Sequence, residues 1–387
     1  MTDSSSPGMR RRAVLSLAGV GTLGTLAGCL STFTGDSDEP TEDADSSETS
    51  DDDSADVPLT DYDYTESPQI IDLAEQNHES TLRTVSARHQ LVTDEAAGGP
   101  VELPEVWAWQ ADDYAPSVPG PIYRMREGET FELTYENNHG RPHTVHVHAV
   151  GKSWEDDGAP VTNRDRVDSG ESETYVLEGD VPGTHVYHCH YQTHNHLDMG
   201  MYGILRVDPE DYEPPDREYF FTLRDWDTNL HDMYAGGDAD YSPTDRSSDA
   251  YTINGRSAPT TFHPEEGTPL IVSEGDTVHL NIANNGYETH PFHTHGHRFT
   301  VIEKDGSPIP EAAQYEEDVI NIAPAERYTL EFEATADPGI YPAHCHKVHH
   351  VTTEGRYPGG MATAIVYEQA METDEFAEIM DDAGFEG

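Results

Sequence analysis

Apolar and polar residues alternate in short runs along this chain and do not recur at helical spacing. In Thr130-Phe131-Glu132-Leu133-Thr134-Tyr135 every second residue is apolar or aromatic, which gives a strand one face to bury and one to wet. Residues 174–177 and 203–207 repeat the pattern, as do their counterparts in the second half, and Gly, Pro and Asn break the runs. Such a chain reads as all-β, built from antiparallel sandwiches. The exception is residues 369–387, where Met371, Phe376, Ile379 and Met380 stand among acids and predict a short helix.

The pattern is also written twice. Glu127-Gly128-Glu129-Thr130-Phe131-Glu132-Leu133 matches Glu274-Gly275-Asp276-Thr277-Val278-His279-Leu280 at an offset of 147 residues. The same offset carries Asn137-Asn138 onto Asn284-Asn285, and His143, His146 and His148 onto His290, His293 and His295. Further on, Pro182-Gly183 leading to His188-Cys189-His190 matches Pro338-Gly339 leading to His344-Cys345-His346 at an offset of 156. Two ordered matches of this kind mean a duplicated domain. The expected domains are residues 60–210 and 211–370, joined through the acidic, proline-containing stretch 208–216, with an acidic tail at 371–387.

Charge changes this picture in two ways. Among 387 residues, 21 Lys and Arg face 75 Asp and Glu, a net charge of −54, and only Lys152, Lys304 and Lys347 are lysines. Phosphate backbones are repelled by such a chain, so nucleic acid is excluded as a partner. An acid-rich, lysine-poor surface fits very high salt, where screening shortens to about 3 Å at 1 M. Beyond residue 56, 18 basic residues still face 63 acidic ones, so the folded part is acidic too. The second change is at the start. Arg10-Arg11-Arg12 precedes a glycine-punctuated apolar stretch, residues 13–28, too short and weak to span a bilayer. It resembles a twin-arginine signal, and Leu26-Ala27-Gly28-Cys29 resembles a lipobox, so residues 1–29 are expected to export the protein. Cys29 then anchors it by lipid on the outer face of the cell membrane, its only membrane contact. Residues 30–59, rich in acids, Ser and Thr, read as a disordered linker.

The candidate chemistry lies in the histidines, 17 of 22 of which fall within four short windows. The three cysteines leave none for a disulfide, since Cys189 and Cys345 each sit between two histidines. Residues two apart on a strand share a face, so His146/His148, His188/His190, His293/His295 and His344/His346 are four bidentate surfaces. A blue copper centre takes two His, one Cys and a weak axial Met, and the first half offers His143, Cys189, His196 and Met201. Cys-x₂₋₄-Cys zinc knuckles are missing. Asp198, beside these ligands, reads as a loop cap or a substrate contact.

Together the four motifs, with Val118-Pro119-Gly120-Pro121 and Tyr251-Thr252-Ile253-Asn254-Gly255, resemble the copper motifs of two-domain, laccase-like multicopper oxidases of a halophilic archaeal type, relatives of the copper nitrite reductases. The resemblance covers roughly residues 80–368 and implies two tandem cupredoxin-like Greek-key domains, either sandwich or barrel. It implies a type 1 copper on His143, Cys189, His196 and Met201. It also implies a trinuclear cluster, one type 2 and two type 3 coppers, on His146, His148, His188, His190, His293, His295, His344 and His346. His188, Cys189 and His190 would then link the thiolate covalently to the cluster. The implied reaction couples one-electron oxidation of a small-molecule donor, phenolic, aromatic or a metal ion, to four-electron reduction of O2 to water. Because cluster ligands come from both domains, the resemblance further implies a homotrimer.

Two positions depart from a simple match. The family's offsets from the cysteine select His194 and Met199, whereas anchoring on the following strand selects His196 and Met201, which is the preferred assignment. In the second half His290, Cys345, His350 and Met361 form a candidate second type 1 site, but Tyr357-Pro358-Gly359-Gly360 lengthens its loop. Either that loop bulges and returns Met361 to the axial position or the site decayed after duplication, and decay is the expectation. A copper nitrite reductase is the nearest rival, yet it needs Asp in the middle of His-x-x-Asp-x-His, where this chain has His146. A non-enzymatic copper-binding or electron-transfer surface lipoprotein is the other, yet neither storage nor shuttling needs a thiolate wired to His-x-His pairs.

Overall fold

In the computed structural model, the described residues are 63–383 except 94, 95, 97, 161 and 163–165. The signal, Cys29 and the whole acidic linker lie outside them. Alternation becomes sheet where it was expected. The strand Thr130–Glu136 buries Phe131, Leu133 and Tyr135 and turns Glu132 to solvent.

Among the described residues the strands form four sheets in two pairs. The first pair joins Val101–Ala111, Glu79–Val92, Thr130–Glu136 and Ser172–Glu178 in one sheet. The other sheet of that pair orders Ile70–Asp72, Ile122–Arg126, Tyr202–Asp208, Gly183–His188 and His146–Val147. Leu82, Trp107, Phe131, Tyr123 and Leu205 pack into one core between them. The second pair repeats this plan, with Arg217–Trp226, Thr277–Asn284 and Arg327–Glu333 central in one sheet and Ala362–Tyr367, Ile340–Cys345 and His290–Thr294 central in the other. Phe221, Leu280, Phe292, Leu330 and Ile365 fill that core. The molecule is therefore all-β, two tandem sandwiches, with the ligand-bearing strands of each in the sheet opposite its long N-terminal strand.

The sandwiches meet along a buried ionic seam. Arg206 pairs with Asp208 at 3.1 Å and with Glu303 at 3.0 Å, and Arg327 Nε donates to the Thr184 carbonyl at 3.0 Å. With every charge partnered, the seam specifies one docking geometry rather than simply adding stability.

Helices are few. Asp374–Ala383 is the expected C-terminal helix, and its Phe376 and Met380 pack against Leu91, Leu103 and Val106 of the first half. The helix Thr228–Tyr234 was not foreseen, being too short to show a period. Asp227 caps it by accepting from Asn229 N, and His231 Nδ1 donates to the Glu105 carbonyl at 2.7 Å, fastening it to the strand Val101–Ala111.

Candidate metal centres

The strand Gly183–His188 delivers Cys189 at its end, buried and free of any disulfide. His143 Nδ1 lies 3.7 Å and His196 Nδ1 3.3 Å from its Sγ, and the two ring nitrogens are 3.0 Å apart. Burial pushes the Cys189 thiol up to about 12 and His196 down to about 3, so neutral imidazoles face a buried sulfur. Two nitrogens at 3.0 Å beside a sulfur in an apolar core need a proton or a soft cation between them, and this donor set fits copper. Cys189 N donates to Met201 O and Met201 N to His196 O, which ties the methionine to both ligands. His194 is exposed, and its carbonyl accepts from Tyr287 Oη at 2.8 Å. The structure thus places His196, not His194, at the thiol.

The second half builds the same group. His290 Nδ1 stands 3.8 Å and His350 Nδ1 3.4 Å from Cys345 Sγ, and the two nitrogens are again 3.0 Å apart. Cys345 N donates to Met361 O and Met361 N to His350 O, the same two backbone bonds. The longer loop therefore folds back on itself, with Gly360 N donating to Thr353 Oγ1 at 2.8 Å, and returns Met361 to the register of Met201. This geometry does not match the expectation of a decayed site.

The paired histidines form two quartets. His146 Nδ1 donates to the Asp157 carbonyl at 2.6 Å and His188 Nδ1 to the Cys189 carbonyl at 3.0 Å, which leaves each Nε2 as a free lone pair. His148 Nε2 then lies 3.0 Å from His188 Nε2, and the His190 ring is 5.2 Å from His146. In the second quartet His293 Nδ1 donates to the Asp318 carbonyl at 2.7 Å and His344 Nδ1 to the Cys345 carbonyl at 3.0 Å. His295 Nε2 lies 3.2 Å from His344 Nε2, and the His346 ring is 5.5 Å from His293. Burial, then the charge of His188, lowers His148 to about 2, so these groups present acceptors, as a metal requires. His190, His295 and His346 are exposed, and each quartet is an open, half-enclosed face.

Comparison with known proteins agrees with this donor set. Multicopper oxidase family models match residues 108–212 and 232–366. The solved structure of the multicopper oxidase mgLAC superposes with a TM-score of 0.64 at 30% identity, over 76% of this chain and 87% of that one. The chain belongs to the multicopper oxidase family. Laccase-2 of Thanatephorus cucumeris is 29% identical over 248 residues, 58% of this chain and 40% of that protein. The probable nitrite reductase-hydroxylamine oxidoreductase fusion protein of Kuenenia stuttgartiensis is 26% identical over 257 residues, 64% of this chain and 28% of that protein. The chain spans 28%, 40% and 38% of the lengths of the first three such curated relatives. Its domains are those of copper-dependent oxidoreductases with a cupredoxin-like fold.

Beyond the ligands of this multicopper oxidase family member, several functional neighbours were invisible in the sequence reading. His139 Nδ1 lies 2.8 Å from His143 Nε2, and Ser86 Oγ lies 3.2 Å from His139 Nε2. In the second half Asp225 Oδ1 lies 3.3 Å from His290 Nε2, while Glu288 Oε2 lies 3.4 Å from His350 Nε2. Burial would raise Asp225, but the His290 contact and the charges of Arg246 and Arg224 hold it well below the carboxylate range. Asp198, expected as a loop cap or a substrate contact, belongs to a buried ion-pair network. It is buried and pairs with Arg224 and, at 2.9 Å, with Arg246, whose Nη1 also reaches Asp225 at 2.6 Å. His139 stands among the clustered histidines, but the offset of 147 carries it onto Gly286, so the repeat does not single it out. Asp225 lies too far upstream of its ligand to show any local signal.

Proposed function

We propose that the chain is a laccase-like multicopper oxidase that couples one-electron oxidation of a reducing donor to four-electron reduction of O2 to water. The observation that supports this most is the placement of each buried cysteine between two histidines of an open quartet. When bound, copper supplies the electron acceptance from the donor and the reduction of oxygen. The chain's residues do the rest. His143, Cys189, His196 and Met201 hold a type 1 copper in a site closed to water, and the covalent run His188-Cys189-His190 joins that site to the quartet. The equal geometry in the second half extends the reading to a second type 1 copper on His290, Cys345, His350 and Met361. Metal analysis then returns about five coppers per chain, against four for a single blue site.

The two quartets together supply eight imidazoles, the number a trinuclear cluster takes, and the ring contacts of each run within that quartet. Joining quartets from neighbouring chains gives a closed ring of three, so the active form is a homotrimer with interfacial clusters. Sedimentation of the copper-loaded enzyme tests this, and an active monomer would refute it. The donor is a phenol, an aromatic amine or a reduced metal ion, sorted by a steady-state screen. The name of the Kuenenia relative keeps nitrite reduction as a second reading. Oxygen uptake with a phenolic dye, set against nitric oxide release from nitrite, separates the two.

The protein works outside the cell, exported through Arg10-Arg11-Arg12 and held by lipid on Cys29, its acidic surface suited to brine. Release of a Cys29→Ala variant into the medium is the expected result.

A further inference from the structure

The duplication sets every residue behind one thiolate site against a counterpart behind the other. In the first half Glu79 pairs with Glu132 in a parallel ladder, and in the second Glu218 pairs with His279. Glu132 and His279 are the same position of the repeat, so Glu79 answers to Glu218 and, seven residues on, Ser86 answers to Asp225. By the offset of 147, His139 answers to Gly286 and Arg141 to Glu288. Two side-chain knots support this alignment. Asn137 Nδ2 donates to the carbonyls of Arg141 and Val167, and Asn284 Nδ2 to those of Glu288 and Ile322. Their Oδ1 atoms accept from His139 N and Gly286 N.

The counterparts differ in charge. Behind His143 stand a neutral imidazole and a neutral hydroxyl, His139 and then Ser86. Behind His290 the ring is gone and the carboxylate of Asp225 reaches the ligand directly. The exchange is steric as well as chemical, because a Cβ on Gly286 would stand 2.0 Å from Asp225 Oδ1. Beside the other ligand a cation has become an anion. The Arg141 guanidinium lies 5.5 Å from the Trp107 ring, which itself meets the His196 ring edge-on at 4.9 Å. In its place the second site has Glu288, 3.4 Å from His350. Arg246 binds the other oxygen of Asp225, and Lys347 offsets part of the Glu288 charge, but the atoms that face Nε2 of the two imidazoles are carboxylate oxygens.

Reduction of a type 1 copper removes one positive charge from a buried site, so nearby anions favour the oxidised form and nearby cations the reduced form. The ligands themselves do not separate the sites, since both offer two His, one Cys and one Met. We propose that the two type 1 centres are redox-inequivalent by construction, with Asp225 and Glu288 holding the copper of the second half at the lower reduction potential. This rests on the reading that both sites take copper. Asp225 and Glu288 act through the ligands and are positioning residues.

The test uses the full chain, copper-loaded, with the blue absorption followed during a redox titration. Cys189→Ser leaves only the second-half centre to report, and Cys345→Ser only the first. The expected result is a lower potential in the Cys189→Ser protein. Adding Asp225→Asn to it should raise that potential by about 59 mV or more, a tenfold change in a one-electron equilibrium. Glu288→Gln, at a half-exposed position, is the second probe should Asp225→Asn impair folding, and it should shift the potential in the same direction. Equal potentials, a reversed order, or no shift in either carboxylate variant would overturn the proposal. Absence of any blue band in the Cys189→Ser protein would instead overturn the two-copper reading beneath it.

Discussion

The two thiolate sites agree in their ligands to about a tenth of an ångström and disagree in nearly everything behind them. Sulfur-to-nitrogen distances of 3.7 and 3.3 Å in one half answer 3.8 and 3.4 Å in the other. Yet His139 and Ser86 are replaced by Gly286 and Asp225, and Arg141 by Glu288. The comparison teaches that duplication fixed the donor geometry through backbone bonds, Cys N to Met O and Met N to His O. The groups that tune a ligand from behind were left free to diverge.

The strongest attack on this comparison is to disable what both sites feed. His293→Ala removes one quartet ligand and should abolish oxygen uptake, a loss beyond the roughly 100-fold that an outer neighbour costs, while the blue absorption stays. Full turnover in that variant would reduce both sites to carriers. Next in size, Cys189→Ser and Cys345→Ser should each remove one copper and about half of the blue absorption. A chain in which one of them removes all of it has only one working centre.

His139→Ala sharpens the difference directly. It frees the His143 ring from its backing contact and should weaken copper binding in the first half by about 10- to 100-fold, with the second half unaffected. Copper titration followed at the blue band would show two separated transitions where the parent shows closer ones.

Acid gives a smaller and more distributed contrast. Burial, the first cause in each, lowers His185 and His231 to about 4 and His89 well below its usual value, and these three pack in or against the first half. The unfolded chain takes up protons near pH 6.5 while these rings remain neutral in the fold. Stability is therefore complete above pH 6.5 and drains away as pH falls towards 4. His231, fully buried, contributes up to about 3 kcal/mol of that loss at about 1.4 kcal/mol per unit. Denaturant melts of the copper-free protein at pH 7 and pH 5 should show the first half weakening more, and equal melts would refute the assignment. Smallest is Gly286→Ala, where the new methyl meets Asp225 and should cost about 1–3 kcal/mol of stability.

Much of this was legible in the chain. Alternation at 130–135 predicted a strand that buries the residues it should, and the ligands stood out because His-x-His spacing is a property of strands. The choice between His194 and His196 needed the fold, since a four-residue helical turn, Thr193–His196, decides which ring turns inward. The fate of Met361 needed it too, because an inserted loop changes residue counts without moving the ends it connects. Least legible were the outer neighbours. Ser86 is 53 residues from His139, and Asp225 is 65 from His290. The strand carrying Asp225 shares almost no sequence with the one carrying Ser86, so only ladder register relates them.

Gly286 also bears on how the two halves came to differ. A ring at position 286 collides with Asp225, and an acid at position 86 would meet the His139 ring, so neither half reaches the other's arrangement by one substitution. The positions move as pairs, and a double variant such as Asp225→Ser with Gly286→His should be tolerated better than its parts add up to suggest. Descent through such a pair needs a permissive intermediate. A second copy of the domain, able to lapse while the first kept working, would have provided one.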